Sequence, residues 1–210
     1  MPLLTRPITQ TCISAIDLRV INSATRLSML VISGTLRSTP LPWLPVLSNI
    51  EPPALRRKAA TDKLVEKIVK HDSWPIQPDI LNPPLVRMTS RKPLWLDLQP
   101  VDIKSRWRHN WKSAQVVNSH LVCNPTIRQP GFDLPRQQWS LLNRFRTEQG
   151  HCGACRRKWQ LTDTDLCPCG ETQTMSHIAE SRPLTKLNGG LSRLHSAVED
   201  AVSSLTNYGS

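Results

Sequence analysis

His151-Cys152-Gly153-Ala154-Cys155, then Cys167-Pro168-Cys169-Gly170 after eleven intervening residues, then His177 seven residues further on: this stretch decides how the chain is read. Five candidate metal donors, Cys152, Cys155, Cys167, Cys169 and His177, fall within 26 residues. Zinc takes four donors at tetrahedral corners, usually thiolate sulfur and imidazole nitrogen. Two cysteines spaced by two on a Gly-containing turn can point both sulfurs inward. The tighter Cys-Pro-Cys-Gly turn does the same, because Pro168 fixes the bend and Gly170 lets the backbone leave it. His177 is expected on a short helix beginning near Glu171 or Thr172. The competing reading is two reduced, unliganded cysteine pairs. Redox chemistry is disfavoured because no βαβ pattern frames either pair. A catalytic zinc is disfavoured because only Glu171 and Glu180 stand near enough to act as a base.

Outside this stretch the chain is basic and rich in proline. It has 210 residues, a formal net charge of +11 and 18 prolines, against one tyrosine and two phenylalanines. That composition argues against one dense globule, and the apolar bulk comes from Leu, Ile, Val and seven tryptophans. The charge is uneven. Residues 1–159 carry 24 basic and 10 acidic groups, whereas residues 160–210 carry 3 and 6. A basic body with a mildly acidic end points to a polyanionic partner, RNA or DNA, or else to a solvated basic surface. No run approaches the roughly 20 apolar residues of a membrane span. Without a secretory signal the expected location is intracellular, nucleus or cytoplasm, where cysteine pairs more often hold metal than each other.

The periodicity predicts a mainly α fold, with short helices joined by Pro-rich extended linkers and a small Cys/His zinc-binding module near the C-terminus. Three segments are expected: 1–72 helical, 73–132 a Pro-rich linker with one basic Trp-containing helix, and 133–210 a helix, the zinc module and a terminal helix. Ile13, Ile16, Val20, Ala24, Leu27 and Val31 mark one face of a first helix, stopped by Gly34. The prolines at 40, 42 and 45 predict a stiff bend that presents Trp43 as a plug between helices. Pro52-Pro53 opens a second helix with Ala60, Leu64, Val65, Ile68 and Val69 as its buried stripe. Residues 73–104 read as extended, anchored by Trp74 and Trp95. A third helix spans about Asp102 to Asn118 with Asp102 as its cap. Its Trp107 and Trp111, four apart, serve as core or as a base-stacking platform. Another helix, with Asp133 as cap and Pro135 in its first turn, buries Trp139, Leu142 and Phe145 and stops at Gly150. The last, Gly190 to Leu205, buries Leu191, Leu194, Ala197, Val198, Ala201 and Leu205 and packs on the zinc module. Candidate nucleic-acid contacts are Arg56, Arg57, Lys58, Arg106, Arg108, Lys112, Arg144 and Arg146.

Three runs carry a family resemblance. Gly34-Thr35-Leu36-Arg37-Ser38-Thr39-Pro40 with Trp43-Leu44-Pro45-Val46-Leu47 resembles the region just after the polymerase core of jockey-type non-LTR retrotransposon reverse transcriptases. Leu134-Pro135-Arg136 with Leu142-Asn143-Arg144-Phe145-Arg146-Thr147 resembles the helix before their terminal zinc-binding segment. Cys167-Pro168-Cys169-Gly170 with His177 resembles that segment itself. The resemblance covers about residues 15–210. It implies zinc ligation by Cys167, Cys169 and His177, with a cysteine five residues after the histidine and just before a proline. Here that position is Arg182, followed by Pro183. Arginine has no lone pair to offer a metal. The resemblance therefore leaves Cys155 or Cys152 to replace the missing ligand, or a site of reduced affinity.

Absent motifs narrow the function. The chain has no adjacent Asp-Asp pair to hold two catalytic metal ions, and its sole tyrosine is Tyr208. Nor does it show the spaced carboxylates and histidine of a nuclease. The expectation is a non-enzymatic, nucleic-acid-binding C-terminal region of a retrotransposon reverse transcriptase, meeting element RNA or target DNA alongside the rest of that protein. The alternatives are a zinc-stabilised protein-interaction module and a decayed element remnant with no activity.

Overall fold

A computed structural model describes residues 15–71, 73–81, 102–182 and 185–208, with the side chains of 15–21, 79 and 204–208 outside that description. The described residues form α1 (Ala15–Ser33), α2 (Trp43–Ser48), α3 (Pro53–Lys70), α4 (Gln77–Leu81), α5 (Ile103–Ser113), α6 (Arg136–Arg146), α7 (Gly153–Lys158), α8 (Met175–Glu180), α9 (Gly190–His195) and α10 (Glu199–Tyr208). One isolated antiparallel bridge, Leu166 to Thr172, accompanies them. The protein is mainly α-helical. Several of its helices are too short to persist alone, so packing and capping must hold them.

Gly34, at φ +65, ends α1 as expected and donates its N–H to Leu30 O at 2.9 Å. A Cβ there would run into the Ser140 side chain of α6, so the residue serves both the turn and the helix contact. The buried face of α1 differs from the expected one. Met29, Leu30 and Ser33 are inside, while Ala24, Leu27 and Val31 are exposed. Ile13 and the side chains of Ile16 and Val20 lie outside the described residues. The rotation is set by polar contacts. The last carbonyls of α1 have no helical partner, and one face of α6 supplies it. Asn143 Nδ2 donates to Ser33 O at 2.8 Å, Trp139 Nε1 to Ile32 O at 3.3 Å, and Arg136 to both Ile32 O and Val31 O.

Trp43 is completely buried, but on α2 and not on a bend. Helix is tolerated because Pro42 is the N-cap and Pro45 lies in the first turn, where no N–H is needed. Trp43 meets Trp111 edge-on at 5.0 Å and donates Nε1–H to Val117 O at 3.0 Å. Trp107 and Trp111 are core residues: together with Trp43, Val46, Leu47 and Val122 they form one apolar cluster, and Trp111 Nε1 donates to Val122 O. Asp102 caps α5 through Lys104 N and Ser105 N, and the helix stops at Ser113, short of Asn118. On α3 only Val65 and Ile68 of the expected stripe are buried, whereas Ala60, Leu64 and Val69 face outward. The helix packs against α4 and α5 along one narrow line. Within the stretch read as extended, Gln77–Leu81 is helical, tied to α3 by Gln77 Nε2 to Val69 O. Trp74 is partly exposed and stacks on His71. The remaining linker, residues 82–101 with Trp95, lies outside the described residues.

α6 buries Trp139, Leu142 and Phe145 as expected, together with Asn143 and Arg146. Pro135 is its N-cap; Asp133 is exposed and faces Arg128 at 3.7 Å, and the helix ends at Arg146, ahead of Gly150. Arg146 is completely buried. Its guanidinium donates to His195 Nδ1 (2.9 Å), Asn143 Oδ1 (3.0 Å), Pro130 O (2.7 Å) and His195 O (2.9 Å), and lies over the Trp139 ring. This explains a second departure. The expected terminal helix is split into α9 and α10, with Ala197 at φ +53. The His195 carbonyl that would accept the next helical bond is taken by Arg146. Leu191, Leu194 and Ala201 are buried, Ala197 is half-buried, Val198 is exposed, and the Leu205 side chain lies outside the described residues.

Burial first, then the nearby Arg146 and His120 charges, push His195 down to about 4. Below its unfolded value near 6.5 the unfolded chain binds a proton that the folded chain resists. The stabilisation is therefore complete above about pH 6.5 and is lost as pH falls toward 4. We expect a loss of about 2 kcal/mol over that window, reduced from the full linkage value because the ring is partly solvated. His195→Asn, which keeps an acceptor for Arg146, should flatten this part of a denaturant-derived stability profile. Arg146→Lys cannot reproduce the forked donor set and should cost about 3 kcal/mol at neutral pH.

Candidate metal centre

The candidate metal centre is built on a hairpin set against two short helices. Leu166 bridges Thr172, Gln173 N donates to Asp165 O at 2.8 Å, and Cys167 N donates to Glu171 O at 2.7 Å. Gly170, at φ +88, turns the chain and donates to Cys167 O. The hairpin is pinned to α7 by Gly153 N to Gln173 Oε1 and Ala154 N to Gln173 O, both at 3.0 Å. It therefore runs past Glu171 and Thr172, and α8 begins only at Met175. Thr174 caps that helix by accepting from His177 N, and Glu148 accepts from both Ser176 N and Ser176 Oγ. These caps place His177 one short turn inside α8.

The result brings Cys167 Sγ, Cys169 Sγ and a His177 ring nitrogen within 4.8 Å of one another. His177 Nε2 is 3.3 Å from Cys169 Sγ and 3.1 Å from Glu171 Oε2. Cys167 and His177 are buried and Cys169 is exposed. The backbone N–H of Cys169 holds the Cys167 thiol below the usual cysteine range, assisted by the Cys169 thiol and the Arg182 charge. Two sulfurs and an imidazole nitrogen suit zinc and supply three of its four corners. His177 Nδ1 is buried without a hydrogen bond. Metal-bound histidines normally anchor that nitrogen; here the ring is oriented by packing and by the contacts of Nε2 with Cys169 and Glu171.

Cys152 and Cys155 do not complete the set. Among the described residues the donor cluster contains only Cys167, Cys169 and His177. Cys152 occupies the N-cap position of α7 without a side-chain capping bond and Cys155 points its thiol at Glu148 O, 3.6 Å away; both belong to the apolar cluster of Trp139, Leu142, Met175, Ile178 and Leu191. Burial pushes the Cys152 thiol up to about 11, away from the thiolate that a metal needs. Arg182 folds back beneath α8, its N–H on His177 O at 2.9 Å. Pro183 lies outside the described residues.

The candidate nucleic-acid residues differ in exposure and partners. Arg56, Arg106, Arg108 and Lys112 are exposed. Arg57 donates to Asn22 Oδ1, and Lys58 pairs with Asp62 at 2.9 Å. Arg144 is half-buried. Arg146 is withdrawn from any phosphate by its complete burial, which corrects its expected role. What the charge pattern missed is the Arg56–Lys63 pairing: both side chains line a cleft of about 500 Å³ with Arg57, Thr25 and Ile103. Helical spacing places Lys63 two turns from Arg56, a signal present in the sequence but indistinguishable there from a solvated face.

Fold and site together define a mainly α-helical protein whose Cys/Cys/His cluster can coordinate a metal ion. No protein-family model, curated protein or solved structure matches the chain. Among the described residues no helix is long and apolar enough to cross a membrane.

If these three residues hold the metal, Cys152→Ser and Cys155→Ser should leave zinc affinity within about twofold, while Cys167→Ser or His177→Ala abolishes it. Competition with a chromogenic chelator reads both outcomes. Arg182→Cys, exchanging a cation for a thiolate at the cluster's edge, should tighten binding by about tenfold or more.

Proposed function

We propose that Cys167, Cys169 and His177 hold a zinc ion as a structural staple and that the chain works as a zinc-stabilised protein-interaction module. The observation that carries this reading is the convergence of the three donors where the hairpin meets α8. Met175, Ile178 and Ala179 of α8 belong to the same apolar cluster as Leu191, Leu194 and Ala201 of α9 and α10. A metal locking α8 to the hairpin thereby stiffens the whole C-terminal core. The buried tryptophans act as packing anchors, and Leu27 and Val31, exposed one turn apart on α1, are the apolar contacts offered to a protein partner. Metal analysis of the purified chain should find one zinc per molecule, absent from Cys167→Ser. Chelation should lower the melting temperature of the wild type and leave that of the variant unchanged. A metal-free wild-type protein would overturn the reading.

A second reading, a non-catalytic nucleic-acid-binding region of a retrotransposon reverse transcriptase, draws support from one further observation. The side chains of Arg56 and Lys63, at the cleft between α1, α3 and the start of α5, make no hydrogen bond or ion pair among the described residues. Free cations beside the apolar wall of Ala60 and Ile103 suit a phosphate backbone. Fluorescence anisotropy with single-stranded RNA should show affinity falling linearly with log salt. Arg56→Ala and Lys63→Ala should each reduce that slope by about one. Salt-insensitive or absent binding removes this reading.

A further inference from the structure

The cluster as it stands provides three ligands, and the residue that the resemblance places fourth, Arg182, cannot bind a metal. We infer that Glu171 supplies the fourth ligand, giving a Cys2HisGlu centre, an inference that rests on the structural-zinc reading above.

Three observations point to it. Glu171 sits directly across the turn from Cys167, held there by the 2.7 Å bond from Cys167 N to Glu171 O. Its Oε2 lies 3.1 Å from His177 Nε2, the nitrogen that also faces Cys169 Sγ at 3.3 Å. The nearby acids are committed elsewhere: Asp165 pairs with Arg157, Glu148 caps α8 at Ser176, and Glu180 accepts from Leu191 N. Glu171 has His177 as its side-chain partner and is otherwise exposed.

Metal binding changes that pairing. An ion that takes the Nε2 lone pair displaces the carboxylate from its 3.1 Å contact with that nitrogen and leaves it next to a divalent cation. The carboxylate lies outside the three-donor cluster, so ligation needs a rotation of the side chain. Glu171 is largely solvent-exposed and can rotate at little cost. Carboxylate oxygen is an ordinary zinc donor at about 2.0–2.2 Å.

Charge accounts for Arg182. Two thiolates, a neutral imidazole and a carboxylate around a divalent ion leave one net negative charge. The positive charge of Arg182, already felt at Cys167, offsets it. Arginine beside the centre is then an outer counter-ion to an anionic site.

The test is an anaerobic Co2+ titration of the full chain, following sulfur-to-cobalt charge transfer and the d–d bands of a four-coordinate ion. Wild type should bind one equivalent with tetrahedral absorption. Glu171→Ala should bind about 10- to 100-fold more weakly, with altered d–d intensity as water enters the vacated corner, and Glu171→Gln should show the same direction of change. Circular dichroism of these variants should match wild type, since the side chain is exposed. Unchanged affinity and spectrum in Glu171→Ala would overturn the assignment while leaving the staple intact. No Co2+ binding by the wild type would instead overturn the zinc reading on which it rests.

Discussion

A buried guanidinium organises this protein. Arg146 enters the interior without a carboxylate partner, and desolvating a charge is costly unless every donor finds an acceptor. Here the acceptors come from three places: Asn143 one turn back, the Pro130 carbonyl of the preceding loop, and both the ring and the carbonyl of His195 on α9. Asn143 passes the network on to Ser33 at the end of α1. One continuous hydrogen-bonded path thus joins α1, α6 and α9, and the apolar residues pack around the orientation it sets. The exposure of Leu27 and Val31 and the interruption at Ala197 follow from the polar contacts that α6 makes with α1 and α9.

The Cys/Cys/His cluster solves a different problem. The hairpin and α8 are too short to be stable through local structure, and the apolar cluster beneath them reaches only one side of α8. Caps from Thr174 and Glu148 start that helix, and the sulfur–imidazole cluster holds its outer side. In the apolar cluster of Trp139, Leu142 and Met175, Cys152 and Cys155 serve as apolar filling. Both cysteines retain the spacing of metal ligands while occupying the chemical role of small hydrophobes.

The basic surface divides in a comparable way. Arg106, Arg108 and Lys112 flank the buried Trp107–Trp111 face of α5 and point outward, so the tryptophans cannot act as a base-stacking platform. Arg56 and Lys63, whose side chains have no partner among the described residues, line the cleft beside α3.

Much of the fold was legible before any coordinates. The Asp102 cap, the stop at Gly34 and the proline start of α3 depend on interactions within a few residues, where side-chain chemistry decides the outcome; the Trp139–Leu142–Phe145 face and the Cys167–Cys169–His177 grouping show in the spacing, although distant partners complete them. The same local rules could not separate Arg146 from Arg144. Both are cations on one basic helix, and only the arrival of Pro130 and His195 makes one of them an interior residue. Nor could they assign the fourth metal position, because the cysteine pair with the right spacing is drawn into the apolar core while an exposed glutamate is set beside the histidine. Sequence by itself determined the mainly helical character and the three donors, because these rest on local spacing and side-chain chemistry; the helical turn at Trp43, the helix at Gln77–Leu81, the break at Ala197 and which charge is hidden were decided by packing partners distant in the chain.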